Sequence, residues 1–346
     1  MQQEQVLFFF GTLPTTPWSK NQDGKGPAWS NSLFEDNAEF GLGFRLSIDQ
    51  QESEAKRLLK MMMNTLDFDL VHDIISVRQK TENEILEQRK RVDTLKDFLK
   101  TMQSNEGKAL LKIADSLVKQ SIWCVGGDGW AYDIGFGGLD HVIASGKNVN
   151  ILILDNEVYS NTGGQMSKAT PYGAAAKFGF NGKLKQKKDL GLMAMTYDDV
   201  YVASVAIGAD QEQTLKAFIE AENYDGPSII IAYSHSKSHG IDMKNPSRYH
   251  KAAVNSGQWL LYRNDPRRQD SNLNTLQLDS NIPSIKVEDY LKLEDRFSSL
   301  FHTNKQDFEL LMRQIQKQVD RRFNNYHAKA STTLIVNNKE KKIEIS

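Results

Sequence analysis

The sequence predicts an α/β protein in which a parallel sheet has helices on both of its faces. Four short apolar runs rich in β-branched residues predict the strands, at 121–127, 149–155, 200–207 and 228–234. A helical pattern follows the first run at 131–145, and a second, at 211–223, separates the last two runs. Strands that are apolar throughout and alternate with helices are typical of a parallel sheet that is buried on both faces.

The chain before the first strand divides into two parts of different composition. Residues 1–52 are rich in Gly, Pro, Asn and Trp, which predicts an irregular leader. Residues 53–118 are rich in Glu, Lys, Arg, Leu and Met, which predicts a helical segment. Within it, residues 82–103 form an amphipathic helix, since apolar residues recur there at three-, four- and seven-residue spacings. These are Ile85, Val92, Leu95, Leu99 and Met102.

The α/β core is predicted at residues 119–240 and carries both polar clusters that suggest chemistry. Residues 241–330 follow as a C-terminal extension. The tail at 331–346 is either disordered or an added edge strand, and the sequence does not decide between these two states.

The overall composition excludes several classes of protein. Of 346 residues, 39% are hydrophobic and 25% are charged, which is typical of a soluble globular protein. The net charge of −1 gives no field that would attract nucleic acid or an anionic membrane. No apolar run approaches the roughly 20 residues of a membrane span, and the opening run at 6–13 lacks the basic flank of a signal peptide. We therefore expect a cytoplasmic protein with no nucleic-acid or membrane partner.

Cysteine usage narrows the chemistry further. The sequence contains a single cysteine, Cys124, which excludes an internal disulfide, a multi-cysteine zinc site and a self-contained iron–sulfur cluster. Because Cys124 lies inside the apolar run SIWCVGG, we expect a buried structural residue.

Polar residues follow the first two predicted strands. Gly127-Asp128-Gly129 ends the first strand, and Asn156 follows the second. A dinucleotide fingerprint is excluded because its third glycine is replaced by Tyr132, and a phosphate-binding loop is excluded because its lysine is absent. A carboxylate in a glycine turn suits Mg²⁺, which prefers one or two carboxylates together with substrate phosphates. We therefore expect Mg²⁺ to join a diphosphate to Asp128 and to the Asn156 amide oxygen.

The longer text around these residues resembles a known family. The stretch GDGWAYDIGFGGLDHVIASGKNVNILILDNEVYSNTGGQMSKATPYGAAAKFGFNGK is similar to the carboxyl-terminal thiamine-diphosphate-binding domain of pyruvate:ferredoxin (or flavodoxin) oxidoreductase. The resemblance extends from about residue 12 to about residue 330. It implies the diphosphate half of a thiamine-diphosphate-binding fold. It also implies a part in the CoA-dependent oxidative decarboxylation of pyruvate, with electrons passed to ferredoxin or flavodoxin.

The resemblance assigns roles to individual residues. Asp128 matches the metal-binding aspartate, and Val158 would offer its backbone carbonyl to the metal. Asn156 stands where these oxidoreductases usually have a threonine ligand, and an asparagine should preserve Mg²⁺ binding. The loop at 162–171 would close over the cofactor, with Lys168 solvated, and no catalytic residue is expected. The cofactor-binding residues would be Gly127, Asp128, Gly129, Trp130, Asn156, Glu157, Val158, Tyr159, Ser160 and Asn161. For the Trp130 side chain, packing in the core is the alternative.

The resemblance also implies two absences. In the family, cysteines hold a [4Fe–4S] cluster beside the thiamine, and the stretch YSHSKSHG has Ser236 in the place of one of them. No iron–sulfur cluster is therefore expected in this chain. His235 and His239 could form a metal pair, although a loop without a metal is favoured. The family's pyrimidine-side glutamate belongs to an amino-terminal domain that this sequence does not contain, so the isolated chain is expected to be inactive.

Three interpretations remain open. The chain is one part of a working 2-oxoacid oxidoreductase, with the remaining domains, other subunits or a homodimer mate as partners. Alternatively, it is a truncated, non-catalytic paralogue that only binds or assembles with intact partners, which the loss of the cluster cysteine favours. A cluster-independent thiamine decarboxylase is the third interpretation.

Overall fold

The computed structural model describes residues 35–177, 179, 182–301 and 305–332, together with residues 26, 30 and 32. The strands in these ranges are β1 (Trp123–Gly127), β2 (Asn150–Asp155), β3 (Tyr201–Val205), β4 (Ser228–Tyr233), β5 (Tyr262–Asn264) and β6 (Leu276–Leu278). The first helices are α1 (Asn37–Met61), α2 (Phe68–Ser76), α3 (Glu82–Thr101) and α4 (Asn105–Ile113). They are followed by α5 (Phe136–Ala144), α6 (Leu190–Ala194), α7 (Gln211–Glu222), α8 (Pro246–Asn255), α9 (Val287–Leu291), α10 (Ser298–Phe301) and α11 (Lys305–Ser331).

The strands form one sheet in the order β1-β2-β4-β3-β5-β6. The four strands predicted from the sequence are parallel to one another, which confirms the predicted fold class. β5 and β6 come from the C-terminal extension and lengthen the sheet, with β5 antiparallel to β3 and β6 antiparallel to β5. At three residues each, they are too short to produce a recognisable hydrophobic pattern.

Helices cover both faces of the sheet, as predicted. On one face, alternate residues of the strands, such as Ile153 and Ile231, pack into the main hydrophobic core together with α5, α6 and α11. On the other face, residues such as Leu152 and Ile230 pack against α7. Apolar side chains on both sides of each strand therefore explain why the strands appear as continuous apolar runs.

The helical segment before β1 has a hydrophobic core of its own. Apolar side chains of α1, α2, α3 and α4 form this core, among them Leu59, Val71, Leu95 and Leu110. The helix predicted at 82–103 is confirmed as α3, which begins with a capping box between Thr81 and Glu84.

The prediction of an irregular leader up to residue 52 is wrong for residues 37–52, which belong to α1. The glycine content of this stretch contributed to that prediction, but Gly41 serves close packing. A Cβ at Gly41 would collide with Sγ of Cys124, so the glycine lets α1 lie directly on β1. Of residues 1–34, only 26, 30 and 32 are described, and residues 333–346 of the tail lie outside the described ranges.

The helix expected at 131–145 begins earlier and in two parts. Residues Gly129–Ile134 form a π-helix, in which Gly135 N–H donates to the Trp130 carbonyl at 2.9 Å, and α5 follows. Such wide turns are rare and occur frequently at functional sites. Within the described ranges, no helix is long and apolar enough to span a bilayer.

Candidate functional site

The two predicted loops meet at one end of the sheet. β1 and β2 are parallel neighbours, with Gly127 opposite Leu154, so both strands end at the same edge. Asp128 directly follows β1, and Asn156 directly follows β2. Their proximity follows from this register, since ligands of open parallel sheets bind at the carboxyl ends of the strands.

Three polar groups converge at this edge, and we call them the oxygen cluster: the Asp128 carboxylate, the Asn156 amide and the Val158 carbonyl. The inward atom of the Asn156 amide lies 2.8 Å from Asp128 Oδ1 and 2.6 Å from the Val158 carbonyl oxygen. The outward atom lies 2.9 Å from Ser160 Oγ. With its nitrogen inward, the amide donates to both oxygens. With its oxygen inward, the three oxygens face one another as the ligands of a cation do.

Asp128 is fully buried, and the hydrogen-bond partner of its carboxylate is a neutral side chain. Ser167 Oγ donates to Asp128 Oδ2 at 2.6 Å. Burial and the nearby Asp155 carboxylate raise the pKa of Asp128 well above its usual range. Among the described lysines and arginines, none forms an ion pair with it. The cluster therefore has a buried carboxylate without a cation beside it.

The chemistry of this donor set fits a magnesium ion. A carboxylate, an amide oxygen and a backbone carbonyl are the hard oxygen ligands that Mg²⁺ accepts, with substrate phosphates filling other positions. In the described ranges, no group of three or more His, Cys, Asp or Glu side chains is placed to hold a metal ion. The buried Oδ1 of Asn161 also lacks a hydrogen-bond partner among the described residues.

Glu157 lies between Asn156 and Val158, but its side chain does not join the oxygen cluster. Its φ of 63° is in the left-handed region, which is uncommon for a residue other than glycine. Its carboxylate pairs with Lys187 at 2.9 Å and with Arg296 at 2.7 Å. The sequence-based expectation placed Glu157 among the cofactor-binding residues, whereas its carboxylate is engaged in these ion pairs.

We call these ion-paired residues the salt-bridge network: Asp155, Glu157, Lys187, Glu294 and Arg296. Lys187 also binds Asp155 Oδ2 at 2.7 Å, and Arg296 also binds Glu294 at 2.6 Å. All five side chains are buried or nearly so. Burial by itself would raise the pKa of Glu157, but Lys187, Arg296 and His239 outweigh it and lower the pKa to about 2. Glu157 is therefore ionised in the folded protein.

The residues that hold the loop after β2 come from distant parts of the chain. Thr170 Oγ1 donates to the Glu157 carbonyl at 2.6 Å. The His239 Nε2 lies 2.7 Å from the Asn156 carbonyl oxygen. Burial lowers the pKa of His239 to about 4, so its ring is neutral and Nε2 carries the proton that it donates. The loop is thus fixed by contacts from at least three other segments.

Glycines and aromatic rings shape the wall beside Asp128. A Cβ at Gly129 would collide with the Tyr159 ring, and the Tyr159 hydroxyl donates to the Gly129 carbonyl at 3.1 Å. Trp130 is 1% exposed and fills the space left by Gly126 and Gly135. Its side chain thus packs in the core, which was the alternative interpretation of this residue.

The loop at 162–171 lies over the same edge of the sheet. It brings Ser167 to Asp128, and Lys183 Nζ holds it through the carbonyls of Ser167 at 3.1 Å and Thr170 at 2.7 Å. Lys168 is largely exposed and pairs with Asp133 at 3.0 Å. A cavity of about 220 Å³ borders Val158 and the glycines of this loop.

The histidines and the serine after β4 have structural contacts. Ser236 Oγ accepts from Ser238 N–H at 3.2 Å and caps a short helical turn. His235 pairs with His250, at 3.0 Å between Nδ1 and Nε2. His239 instead contacts the Asn156 carbonyl, so the structure does not bring His235 and His239 together as a pair of metal ligands.

Sequence reasoning missed several residues that shape the site. Ser167 lies in the predicted loop at 162–171, where the Ser and Thr residues indicated that side-chain hydrogen bonds could form. Lys187 was one of several lysines in a basic stretch, and nothing in the sequence distinguished it. Arg296 lies 139 positions after Glu157, and no local pattern could have paired them.

The chain is similar to known thiamine-diphosphate enzymes. Residues 89–232 match the family model described as "Thiamine pyrophosphate enzyme, C-terminal TPP binding domain". Both loops of the oxygen cluster lie inside this match. The chain is 57% identical over 320 residues to a pyruvate-flavodoxin oxidoreductase of Trichormus variabilis, covering 91% of the chain and 27% of the relative. The chain matches the thiamine-diphosphate-binding region of the pyruvate:ferredoxin (flavodoxin) oxidoreductases.

Other oxidoreductases of this family show the same pattern. A probable pyruvate-flavodoxin oxidoreductase of Escherichia coli is 47% identical over 90% of the chain and 26% of the relative. The pyruvate:ferredoxin oxidoreductase of Moorella thermoacetica is 47% identical over 84% of the chain and 25% of the relative. The chain thus spans about a quarter of the length of the curated relatives it matches. A solved 2-oxoglutarate:ferredoxin oxidoreductase of Magnetococcus marinus aligns with a TM-score of 0.33 and 23% identity, over 37% of this chain and 44% of that one.

Proposed function

We propose that this chain binds thiamine diphosphate through a Mg²⁺ ion held by the oxygen cluster of Asp128, Asn156 and Val158. The single observation that carries the proposal is the convergence of these three groups on the Asn156 amide, which lies 2.8 Å from the buried Asp128 carboxylate and 2.6 Å from the Val158 carbonyl oxygen. Gly127, Gly129, Tyr159, Ser160 and Asn161 would line the diphosphate, as the family resemblance implies.

The chain's own residues would bind and orient the cofactor. When bound, thiamine diphosphate supplies the carbanion chemistry by which 2-oxoacids lose carbon dioxide. Asp128 would supply the negative charge for the metal, and Ser167 would hold the carboxylate in place. Gly129 would allow the backbone to approach the phosphates closely. None of these residues is assigned a proton-transfer role.

At the level of the whole enzyme, we propose a part in the CoA-dependent oxidative decarboxylation of pyruvate in the cytoplasm. Ferredoxin or flavodoxin would accept the electrons, and other oxidoreductase domains or a second copy of the chain would be partners. The chain alone is expected to be inactive. Glu157, the acid in the cofactor loop, is engaged by Lys187 and Arg296, and a single cysteine provides no thiolate set for a cluster.

A non-catalytic paralogue that serves as a binding or assembly partner is the second candidate. The observation that favours it is Ser236, which caps a helical turn and which, as the family resemblance implies, stands where the relatives have a cluster cysteine. A serine is a poor ligand for an iron–sulfur cluster. Under this proposal, the chain binds the cofactor or a partner without turnover.

Calorimetry tests the cofactor proposal directly. Thiamine diphosphate should bind the purified chain in MgCl₂ and bind much more weakly in EDTA, because the metal joins the phosphates to Asp128. Asp128→Asn should remove the Mg²⁺-dependent part of the binding, whereas Asp198→Asn, an exposed change elsewhere, should not. Equal binding with and without Mg²⁺ would refute the assignment.

Activity assays separate the two candidates. The chain alone should release no CO₂ from pyruvate, reduce no viologen dye and contain no stoichiometric iron. Dye reduction after addition of the remaining domains of a related oxidoreductase would favour the catalytic part over the paralogue. Turnover by the chain alone would contradict both.

A further inference from the structure

The loop that carries the Val158 carbonyl has a strained residue at its centre. Glu157 has a φ of 63°, and a residue with a side chain pays for this conformation with of order 1 kcal/mol or more. Such a conformation persists only where the surrounding structure holds it. The contacts of Glu157 show what holds it here.

The strongest of these contacts come from two cationic side chains. Arg296 Nη2 binds Glu157 Oε2 at 2.7 Å, and Lys187 Nζ binds Glu157 Oε1 at 2.9 Å, so each oxygen has its own cation. The Arg296 Nε in turn binds Glu294 at 2.6 Å, which fixes the orientation of the guanidinium. Arg296 and Glu294 lie in the C-terminal extension, far along the chain from the loop.

We infer that Arg296 is a positioning residue. By pairing with the Glu157 carboxylate, it holds the strained loop so that the Val158 carbonyl faces the proposed metal site. The inference rests on the proposed function, and it gives the C-terminal extension a specific part in cofactor binding. Residues that orient metal ligands from behind commonly affect metal affinity without touching the metal.

The position of the residues supports action through Glu157. Glu157 immediately precedes Val158, and its backbone N–H bonds Asp155 Oδ1 at 3.1 Å. Rotation about the Glu157 backbone would therefore turn the Val158 peptide. The Glu157 side chain points into the salt-bridge network, whereas the Val158 carbonyl lies 2.6 Å from the inward atom of the Asn156 amide. The ion-paired carboxylate and the carbonyl thus belong to adjacent residues of one short turn.

The test is a titration of the full chain with Mn²⁺ in the presence of thiamine diphosphate, followed by electron paramagnetic resonance of free Mn²⁺. Arg296→Met should weaken Mn²⁺ binding by about ten-fold or more, as loss of an orienting partner does. Arg263→Met is the matched control. Arg263 lies on β5, is also buried and pairs with two acids, Glu220 at 2.7 Å and Asp279 at 2.9 Å. The control should lower stability and leave the Mn²⁺ affinity of the folded protein unchanged.

A double-mutant cycle separates positioning from general weakening of the fold. Glu157→Gly removes the carboxylate and accepts a positive φ, so it should weaken Mn²⁺ binding to a similar extent. Arg296→Met in the Glu157→Gly background should then cause little further loss, because Arg296 acts through Glu157. Additive losses would overturn the inference.

Each remaining outcome is decisive. If Arg296→Met does not fold, Arg296→Lys is the second variant. A lysine keeps the charge but cannot pair with Glu157 and Glu294 in the same geometry, so it should still weaken Mn²⁺ binding. If Arg296→Met or Arg296→Lys folds and binds Mn²⁺ as the wild type does, the inference fails while the proposed function stands. If the wild-type chain does not bind Mn²⁺ with thiamine diphosphate, the proposed function fails and this inference falls with it.

Discussion

Asp128 and Glu157 are both buried at the carboxyl end of the sheet, yet only Glu157 has cationic partners. Lys187 and Arg296 lie at 2.9 and 2.7 Å from the Glu157 carboxylate and lower its pKa to about 2. Asp128 has the Ser167 hydroxyl and the Asn156 amide beside it, and its pKa is raised by burial and by Asp155.

The difference separates an acid that the protein neutralises with its own cations from one that it does not. A buried charge that the protein balances internally needs nothing from outside. A buried carboxylate without an ion-pair partner costs stability, and the metal ion that we propose at Asp128 would offset that cost. The comparison therefore favours Asp128 over Glu157 as the metal ligand that we propose.

The largest expected effect is on stability. Arg296→Met should lower the free energy of unfolding by about 3–5 kcal/mol, because it leaves two buried carboxylates with less compensation. Asp128→Asn should change it by no more than about 1 kcal/mol, or raise it, because it removes a carboxylate that lacks a cation. Urea denaturation in EDTA measures both. Equal losses would show that the two acids are not different in kind.

The second prediction concerns the loss of stability at low pH. The pKa of Glu157 is lowered from 4.5 to about 2 on folding, so its contribution to stability is complete above the unfolded value and is lost as the pH falls through the folded value. In EDTA, the stability difference between wild type and Glu157→Gln should shrink by about 3 kcal/mol between pH 5 and pH 2, since one pKa unit corresponds to about 1.4 kcal/mol. A difference that stays constant over this range would contradict the assignment of Glu157 as an ion-paired acid.

The third prediction tests the wall of the oxygen cluster. Gly129→Ala should cost about 1–3 kcal/mol, because its methyl group would collide with the Tyr159 ring. It should also weaken Mg²⁺-dependent binding of thiamine diphosphate. Gly137→Ala in α5 is the control, since nothing lies within 4 Å of a Cβ there, and it should stabilise the chain by up to about 1 kcal/mol. Similar thermal shifts for both variants would argue against close packing at Gly129.

The smallest expected effect is the loss of one hydrogen bond to Asp128. Ser167→Ala should lower the free energy of unfolding by about 1 kcal/mol and should also weaken Mn²⁺ binding, because the Asp128 carboxylate is then held less firmly. Thr81→Ala removes the capping box of α3 at a similar cost of about 1 kcal/mol, and it should leave Mn²⁺ binding unchanged. Unaltered Mn²⁺ affinity in Ser167→Ala would show that this hydroxyl does not position the carboxylate.

Local sequence patterns were sufficient to predict much of the fold. The four parallel strands, α3 and α7 were predictable because periodicity and strand-end residues are local features of the chain. Residues 37–52 were not, because they were grouped with a stretch rich in Gly, Pro, Asn and Trp, whereas Gly41 in fact lets α1 pack against β1. The antiparallel strands β5 and β6 were missed because three residues hold too little pattern.

The candidate site divides in the same way. Asp128 and Asn156 were accessible from the sequence because each follows a strand that could be recognised. The ion pairs of Glu157 were not, because Arg296 is 139 positions away and only the folded chain brings them together. The positive φ of Glu157 had no signal either, since glycine is the residue that sequence reasoning associates with that conformation.

The contact between Gly41 and Cys124 has a practical consequence for spectroscopy. The Cys124 thiol is 3% exposed, burial raises its pKa to about 12, and α1 lies directly over its sulfur. Maleimide or nitroxide reagents at neutral pH should therefore leave the native chain unmodified. One cysteine introduced at the exposed Thr162 or Lys168 would be the only labelled position, so distances from the loop at 162–171 could be measured without first replacing the natural thiol.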